Sequence, residues 1–449
     1  MFETLRNAFK VKDIRKRILF TFFMLVVIRI GSELPAPGVN GDVFKEWFTS
    51  QAADGLGFFN AITGGSFLNM SIFALNITPY ITSSIIMQLL TIAIPKLEEL
   101  HQDEDGRKKI NEITRYLTVG LAVIESAGMA IGFGNAGYFE LKFMTVVYMI
   151  VSLTAGSTLL MWLGERITEK GVGNGISIIL VINIVSRMPN DITGLYRQFI
   201  SAQTATVNKV FNAIIIIAII VAVVAYVVIL NAAERRIPIQ YAKKIQGNKM
   251  VGGQATFIPL KVNTAGVIPI IFASSILQVP IIISQFFHVE AASGILADGS
   301  HATVWQMMLK MFSQSNWFKV TSFSQFKYTL GFVLYIVMIF FFAYFYTSIT
   351  FNPIEVSNNM KKSGGFVPGI RPGKPTTEYL MNVLNSIILI GAIGLSIVAT
   401  VPIFFSGVFK ASVSFGGTSL IIIVGVIIET VKQIESQLLV RHYKGFLSE

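Results

Sequence analysis

Ten long apolar stretches, separated by basic connections, run through this chain. Each is near the roughly 20 residues that a helix needs to cross about 30 Å of hydrocarbon. With 53% hydrophobic and 14% charged residues, a water-soluble domain could not bury its apolar surface. The sequence therefore predicts an all-α polytopic membrane protein with ten spans: 18–36, 72–94, 117–134, 143–163, 175–191, 208–231, 264–287, 328–350, 381–405 and 417–436. The fifth and tenth have short apolar cores and fit a re-entrant segment as well.

The distribution of Lys and Arg predicts the orientation of these spans. Most of the 36 basic residues lie in the N-terminus, the tail and every second loop, and such loops stay in the cytoplasm. Both termini are expected there: residues 1–17 as an amphipathic interfacial segment and 437–449 as a tail. The first span leads into Arg29 without a small-residue cleavage pattern, so we expect it to stay attached.

A net charge of +11 is compatible with nucleic-acid binding, but positive-inside topology and anionic lipid account for most of it. Two basic loops, 232–263 and 351–380, are longer than a helix connection needs and are expected to project and bind a partner. The first has two β-like runs around a Gly247-Asn248 turn, which predicts a hairpin. The second is rich in Gly and Pro and should be ordered only by contacts.

Few residues could carry chemistry. The four histidines lie outside the spans and there is no cysteine, so we expect no metal, thiol or other cofactor site. Glu125 is the only deep charge, either a coupling residue of a secondary transporter or a lumen-facing or snorkelling carboxylate. An intramembrane enzyme would need a nucleophile, a base or a metal set. A structural scaffold stays open on composition alone.

The second span of each five-span half is irregular. Gly64-Gly65 interrupts the apolar run 58–72, and several small polar residues and Pro79 follow within the span; Gly266, Pro269 and Pro280 mark its counterpart. Such helices suit protein or water better than lipid, and paired broken spans are typical of inverted repeats. Tight packing through small residues is the alternative to a pore lining. A pore without a charge ring would not select ions.

Ordered motifs along nearly the whole chain resemble the SecY family, the channel subunits of the bacterial general secretion translocon. The motifs are Phe73-Ala74-Leu75, Pro79-Tyr80-Ile81, Gly106-Arg107-Lys108-Lys109-Ile110, Thr114-Arg115-Tyr116, Met161-Trp162-Leu163-Gly164-Glu165, Gly173-Asn174-Gly175-Ile176-Ser177-Ile178, Lys261-Val262-Asn263, Ala265-Gly266-Val267-Ile268-Pro269, Lys361-Lys362-Ser363-Gly364, Phe366-Val367-Pro368-Gly369-Ile370-Arg371-Pro372-Gly373 and Phe415-Gly416-Gly417-Thr418-Ser419-Leu420.

The resemblance implies two inverted, pseudo-symmetric five-helix halves, 18–200 and 201–436, around a central pore. By motif position, the pore's constriction ring would consist of Ile77, Ile81, Ile176, Leu180, Ile271 and Ile422. The plug, which closes the resting pore, corresponds to 58–72 and includes Phe58, Gly64, Gly65, Phe67 and Leu68. The lateral gate, which admits signal sequences to lipid, would lie near Thr82, Gln88, Ser275 and Val279.

The resemblance also implies function and partners. The basic loops match docking sites for the SecA motor ATPase and for the ribosome and its RNA, through Arg235, Arg236, Lys243, Lys244, Lys249, Arg371 and Lys374. Further expected partners are SecE and SecG subunits, signal sequences, nascent polypeptides and anionic lipids. The expected function is a non-enzymatic protein-conducting channel in the bacterial cytoplasmic membrane. The loop 288–327 has no recognisable motif, and its Trp305, Trp317 and Phe318 are expected to anchor at the membrane interface.

Overall fold

A helix covers most of each predicted span in the computed structural model. The structure describes residues 6, 8–39, 63–135, 142–201, 206–241, 244–246, 249–251, 255–286, 303–314, 317–318, 328–409 and 417–445. The helices are α1 Lys12–Glu33, α2 Thr78–Ala93, α3 Pro95–Gln102, α4 Glu104–Asn135, α5 Phe143–Lys170, α6 Gly175–Leu195, α7 Thr206–Ala232, α8 Ile268–Phe286, α9 Val304–Phe312, α10 Leu330–Thr350, α11 Pro353–Lys362, α12 Lys374–Phe409 and α13 Gly417–Gly445. A π-helical stretch, Tyr196–Ser201, continues α6.

Six of the described helices are long and apolar enough to cross a membrane, and a seventh span arises if the pair α2 and α3, bent by 110°, is counted as one. A shorter apolar helix covers Ile268–Ile281. The all-α polytopic class is confirmed by this helix content. The count of ten spans stays a prediction.

The second and seventh spans begin later than the sequence predicts, and both for the same reason. Residues 72–77 form turns rather than the start of α2, and Asn76 has a positive φ of 52°. Likewise, Gly266 has a φ of 63° just before α8. A left-handed residue interrupts a right-handed helix. In both cases a proline, Pro79 or Pro269, lies three residues further on, where the first helical turn tolerates it.

At the N-terminus the first helix begins earlier than expected. α1 starts at Lys12 instead of residue 18, because the basic residues preceding the apolar run are themselves good helix formers. Before it, Ala8 is wholly buried in a cluster with Ile14, Val172 and Ile434, while Phe9 is exposed. Residues 1–5 of the predicted interfacial segment lie outside the described residues.

The chain divides into two compact units. Unit 1 comprises Met1–Ala213, Ser275–Phe332 and Pro402–Glu449. Unit 2 comprises Ile214–Ser274 and Val333–Val401. These units are not the two predicted halves, 18–200 and 201–436, which are defined by repeat symmetry. That division stays a prediction.

Within unit 1, glycines let helices approach the turns before α2. A Cβ added at Gly156 of α5 would overlap the carbonyl oxygen of Ile72, and one at Gly31 of α1 would overlap the ring of Phe73. Contacts this short leave no room for a side chain at either glycine. The glycines therefore fix how closely α1 and α5 pack against the segment that precedes α2.

Unit 2 contains the predicted hairpin. Strand β1 (Glu234–Tyr241) pairs antiparallel with β4 (Ala255–Lys261). Towards the tip, β2 (Lys244–Gln246) pairs with β3 (Lys249–Val251). The prediction of a hairpin is confirmed, although residues 247 and 248 of its turn lie outside the described residues.

The second basic loop is more ordered than the sequence suggests. Its first part is helix α11, because the side chain of Asn352 accepts hydrogen bonds from the N–H groups of Ile354 (3.1 Å) and Glu355 (3.4 Å) and Pro353 occupies the first turn. Residues Gly365–Phe366 then form β5, which pairs antiparallel with β1. The result is a three-stranded sheet of order β4-β1-β5.

The close approach at Gly156 predicts a stability difference between two helical glycines of unit 1. We expect Gly156→Ala to destabilise the protein by about 1–3 kcal/mol, the usual cost of overpacking. The matched change Gly120→Ala, at an exposed position with no atom within 4 Å of the added Cβ, should be neutral or stabilise by up to about 1 kcal/mol. Thermal unfolding in one detergent measures both, and equal Tm values for the two variants would contradict the packing argument.

Candidate functional site

The segment Thr63–Ile77, here called the turn segment, leads into α2 as a series of tight turns. Of the predicted plug residues, the structure describes Gly64, Gly65, Phe67 and Leu68, and Phe58 lies outside the described residues. The two glycines have φ values of 67° and 88°, a conformation that residues with a Cβ rarely adopt. Local hydrogen bonds then close the turns, among them Met70 N–H to Phe67 O (2.9 Å) and Ser71 N–H to Ser66 O (3.0 Å).

Backbone hydrogen bonds join the turn segment to the chain that follows α1. The N–H of Ala36 donates to the carbonyl of Met70 (2.8 Å), and the N–H of Ile72 donates to the carbonyl of Leu34 (2.9 Å). Two such bonds in antiparallel register form a minimal β-bridge. The turn segment is thus hydrogen-bonded to the residues at the end of the first predicted span.

Apolar side chains seat the turn segment in the core of unit 1. Phe67 and Met70 are 2% and 0% exposed, and both belong to a cluster with Phe133, Met149 and Leu153 from α4 and α5. The rings of Phe67 and Phe133 meet edge to face with centroids 6.2 Å apart. Leu68 is half-buried against the same cluster.

Side chains from two helices contact the backbone of Gly64. The carbonyl of Gly64 accepts hydrogen bonds from Arg29 Nη1 of α1 and Ser186 Oγ of α6, each at 3.4 Å. Arg29 also pairs with Glu33, whose other carboxylate oxygen accepts from Asn69 Nδ2 at 3.2 Å. Arg29, near the end of the first predicted span, thus contacts the turn segment.

A buried amide pair lies where the turn segment ends, and sequence reasoning missed half of it. Asn183 Nδ2 of α6 donates to Asn76 Oδ1 (3.1 Å), and Ser157 Oγ of α5 donates to the Asn76 carbonyl (3.0 Å). Both asparagines are at most 2% exposed. Asn183 was counted within the apolar run of the fifth span, although an amide inside such a run is the signal that could have identified it.

The predicted ring residues are divided between the two units. Ile77, Leu180 and Ile422 of unit 1 are buried, whereas Ile81 and Ile176 are half-buried. Ile176 contacts α5, since its Cγ1 would lie 3.1 Å from a Cβ at Gly164. Ile271, half-buried at the start of α8, belongs to unit 2. The ring as a whole stays a prediction.

The predicted lateral-gate residues lie on α2 and α8. Thr82 Oγ1 donates to the carbonyl of Thr78 (3.1 Å), which satisfies its hydroxyl within the helix. Gln88 Nε2 makes a long contact with Ser84 Oγ (3.5 Å), while its Oε1 is buried and accepts no hydrogen bond from the described residues. Ser275 is half-buried and Val279 is exposed.

The two predicted docking loops pack into one body in unit 2, which we call the docking body: β1, β4, β5, α11 and the start of α12. Ile237 and Ile239 alternate with exposed residues along β1, so one face of the sheet is buried. That face packs against α11 and α12 in a single apolar cluster: Ile237, Ile239, Leu260, Met360, Val367, Leu380 and Ile387.

On the opposite face of the sheet, Arg236 is held in place. Its guanidinium pairs with Glu234 at 2.7 Å and lies over the ring of Phe257 at 4.8 Å. Arg235 beside it is exposed. Lys244 and Lys249 lie in the paired strands near the hairpin tip, and Lys243 lies outside the described residues.

Arg371 and Lys374 follow β5 on a fixed backbone. Thr376 Oγ1 donates to the carbonyl of Arg371 (2.8 Å), and Ser357 Oγ of α11 donates to the carbonyl of Gly373 (3.0 Å). The side chains of Arg371 and Lys374 are both exposed. The docking body therefore presents its basic residues on a rigid scaffold, not on a free loop.

Titratable groups form no metal site in the part of the chain that the structure describes: no three His, Cys, Asp or Glu side chains come together there. Glu125 is half-buried in α4. The structure assigns it no function.

Comparison with known proteins gives a family. The SecY family model matches residues 71–431. A relative from Streptomyces coelicolor, named protein translocase subunit SecY, is 42% identical over 464 residues and is matched over 100% of both chains. The chain belongs to the SecY family.

Solved structures with similar folds agree with this family. A structure described as a protein-conducting channel has a TM-score of 0.59 at 18% identity, covering 94% of this chain and 92% of that one. Sec61 in the canine ribosome-channel complex from the endoplasmic reticulum has a TM-score of 0.57 at 17% identity, with the same coverage. At these identities the likeness concerns the fold.

Family membership decides between the alternatives that composition left open. A multi-pass SecY-family chain supports a protein-conducting channel, and neither the family nor the fold supports a secondary transporter. The turn segment and the docking body are then the two parts of this SecY-family fold to which a function can be attached.

The hydrogen bond between the buried side chains of Asn183 and Asn76 should help to hold the turn segment in place. We expect Asn183→Ala to cost about 1–3 kcal/mol, because it removes a buried donor to Asn76. Amide hydrogen exchange of the peptide covering residues 63–77 should accelerate. Asn382→Ala, at an exposed position on α12, serves as the control, and unchanged exchange in both variants would show that the pair does not hold the turn segment.

Proposed function

We propose that this chain is the channel subunit through which unfolded secretory polypeptides cross the bacterial cytoplasmic membrane and from which transmembrane segments pass sideways into lipid. The observation that carries the proposal is the full-length match to a protein translocase subunit. The basic character of alternate loops supports an orientation with both termini in the cytoplasm. We propose no catalytic step within the chain.

The turn segment is the proposed plug. Its contacts fit a closed position that is stable but can be left. The burial of Phe67 and Met70 stabilises this position, whereas the two hydrogen bonds to the Gly64 carbonyl are long, at 3.4 Å, and therefore weak. Leaving this position would cost the burial of two large apolar side chains, about 1.5–3 kcal/mol each. A polypeptide entering the pore would offset that cost through its own contacts.

The proposed ring consists of Ile77, Ile81, Ile176, Leu180, Ile271 and Ile422. Six aliphatic side chains give a hydrated ion no substitute for its water shell, yet they can close around a peptide of any sequence. Opening sideways would occur along Thr82, Gln88, Ser275 and Val279. Gln88 Oε1 is buried and accepts no hydrogen bond from the described part of the chain, which supports a seam that costs less free energy to separate than an apolar one.

The docking body is the proposed contact for partners on the cytoplasmic side. Exposed Arg235, Arg371 and Lys374 suit the phosphates of ribosomal RNA, and Arg236 is preorganised by Glu234. The same surface is proposed to receive the SecA motor. The Sec61 complex mentioned above, which contains a ribosome, supports this assignment. SecE and SecG subunits, signal sequences and anionic lipids complete the proposed partners.

The mechanism that follows is passive. Partner binding at the docking body and entry of a signal sequence shift an equilibrium between closed and open channel, since a ligand favours the state to which it binds more tightly. The motor or the ribosome supplies the driving force. The channel contributes a path, a seal and a lateral exit.

The proposed ring predicts an ion leak. Ile81→Gly combined with Ile271→Gly should widen the constriction and raise resting conductance in planar bilayers. The matched pair Ile92→Gly with Ile276→Gly carries the same helix penalty on α2 and α8 at exposed positions. Equal resting conductance in the two double variants would remove both residues from the ring.

The docking body predicts a charge-dependent loss of export. Arg371→Glu should abolish motor-dependent export in reconstituted vesicles, whereas Lys170→Glu makes the same charge change at an exposed position in unit 1 and should leave export near normal. Arg371→Lys separates charge from shape, because lysine keeps the charge but loses the planar fork of donors. Normal export by Arg371→Glu would rule out its docking function.

The function itself is tested with a photo-crosslinking residue at position 271 and a secretory polypeptide stalled during export. A crosslink to the stalled chain from position 271, with none from the exposed position 276 on the same helix, is the expected result. If stalling is verified by a protected fragment and position 271 forms no crosslink, the polypeptide path does not follow α8.

A further inference from the structure

Helix α9 lies in the loop between α8 and α10, where the sequence has no recognisable motif. Its nine residues begin at a capping box, in which the Gln306 side chain accepts from the Thr303 N–H at 2.9 Å. The sequence VWQMMLKMF places Met, Trp, Val, Leu and Phe around most of the helix and leaves only Gln306 and Lys310 as polar residues. A helix of nine residues is not stable alone in water, so its apolar side chains need an apolar environment to pack against.

The helix turns its apolar side chains outwards. Val304, Trp305 and Met308 are 63%, 39% and 43% exposed and share one face, whereas only Leu309 is fully buried. Lys310 packs towards the protein, with its ammonium 5.3 Å from the centre of the Tyr328 ring. A helix on a water-facing surface has the opposite arrangement, with its polar side outwards.

Aromatic contacts fix the depth of α9 relative to two membrane helices. Trp317 Nε1 donates to the carbonyl of Met311 in α9 (2.8 Å), and its ring meets Phe332 of α10 at 6.0 Å. A Cβ at Gly331 would overlap the same Met311 carbonyl. Since Phe332 lies in the first turn of α10, the end of α9 lies level with the start of a span.

Phe318, next to Trp317 in the chain, packs against two of the long helices. Phe318 meets Phe332 at 4.8 Å and Phe404 of α12 at 6.1 Å. The prediction that Trp317 anchors at the membrane interface was wrong, because its side chain is 0% exposed. Its indole N–H instead donates to the carbonyl of Met311 and so joins this segment to α9. Trp305, by contrast, is exposed.

We propose that α9 is an interfacial membrane anchor that inserts Val304, Trp305 and Met308 into the boundary between headgroups and acyl chains. The occupant is lipid because the end of α9 contacts the start of α10, whose first residue, Leu330, is itself 58% exposed at the end of a span. Tryptophan is favoured at this depth, and a helix with one apolar face lies in the plane of the interface. Under the orientation proposed above, the leaflet is the external one.

The absence of cysteine from the sequence makes the test clean, because one introduced cysteine carries the only label. A nitroxide at Met308→Cys is compared in proteoliposomes with nitroxides at Val337→Cys, exposed in the middle of α10, and at Glu378→Cys, exposed in the docking body. Collisions with oxygen report lipid and collisions with a nickel chelate report water. The label at position 308 should collide with oxygen about as often as the label at position 337. Its collision rate with the nickel chelate should be several-fold lower than that of the label at position 378. Its depth in the membrane should be shallower than that of the label at position 337.

A second labelled site guards against a local disturbance. Val304→Cys, on the same face, should give the same pattern as position 308. Strong nickel access at both positions would mean that the face is in water, and low access to both reagents would mean that protein covers it; either result overturns the proposal. The outcome is independent of the channel assignment, since it requires no transport.

Discussion

Backbone polar groups that are buried in a protein need hydrogen-bond partners within it, and this constraint governs the turn segment of unit 1. The turn segment departs from helical geometry for 15 residues, Thr63–Ile77, so it lacks the hydrogen bonds that a helix would supply. The replacements come from neighbours: an antiparallel bridge to the chain after α1, hydroxyls of α5 and α6, and the guanidinium of Arg29. Irregular backbone is tolerated here because protein surrounds it.

The same constraint explains where glycine and asparagine are found. Gly156 and Gly31 admit the turn segment close to α5 and α1, and Asn76 adopts the left-handed conformation that its short side chain tolerates better than most. Asn183 then supplies a donor from the facing helix. Packing and hydrogen bonding are therefore two requirements on the same few positions, and a change at one of them affects both.

The sequence predicted the helices and the hairpin well, because hydropathy over 20 residues and period-2 alternation are local signals. It failed where the deciding partner is distant in sequence. The start of α2 depends on Asn76, which adopts a left-handed conformation. The second basic loop is ordered because its strand β5 pairs with β1. Trp317 is buried because its N–H donates to the carbonyl of Met311. For the site, residue types were predicted through the family resemblance, but Asn183 and Ser157 were missed since their function exists only in the folded contact.

Helix α12 runs from the docking body into the predicted span 381–405. It begins at Lys374 and ends at Phe409, so its 36 residues extend about 54 Å. The apolar cluster around Leu380 holds its first turns, and Pro402 near its other end removes one helical hydrogen bond. From Lys374 to Val401 the helix extends about 40 Å, so a tilt of a few degrees about its held end would displace Val401 by a few ångströms.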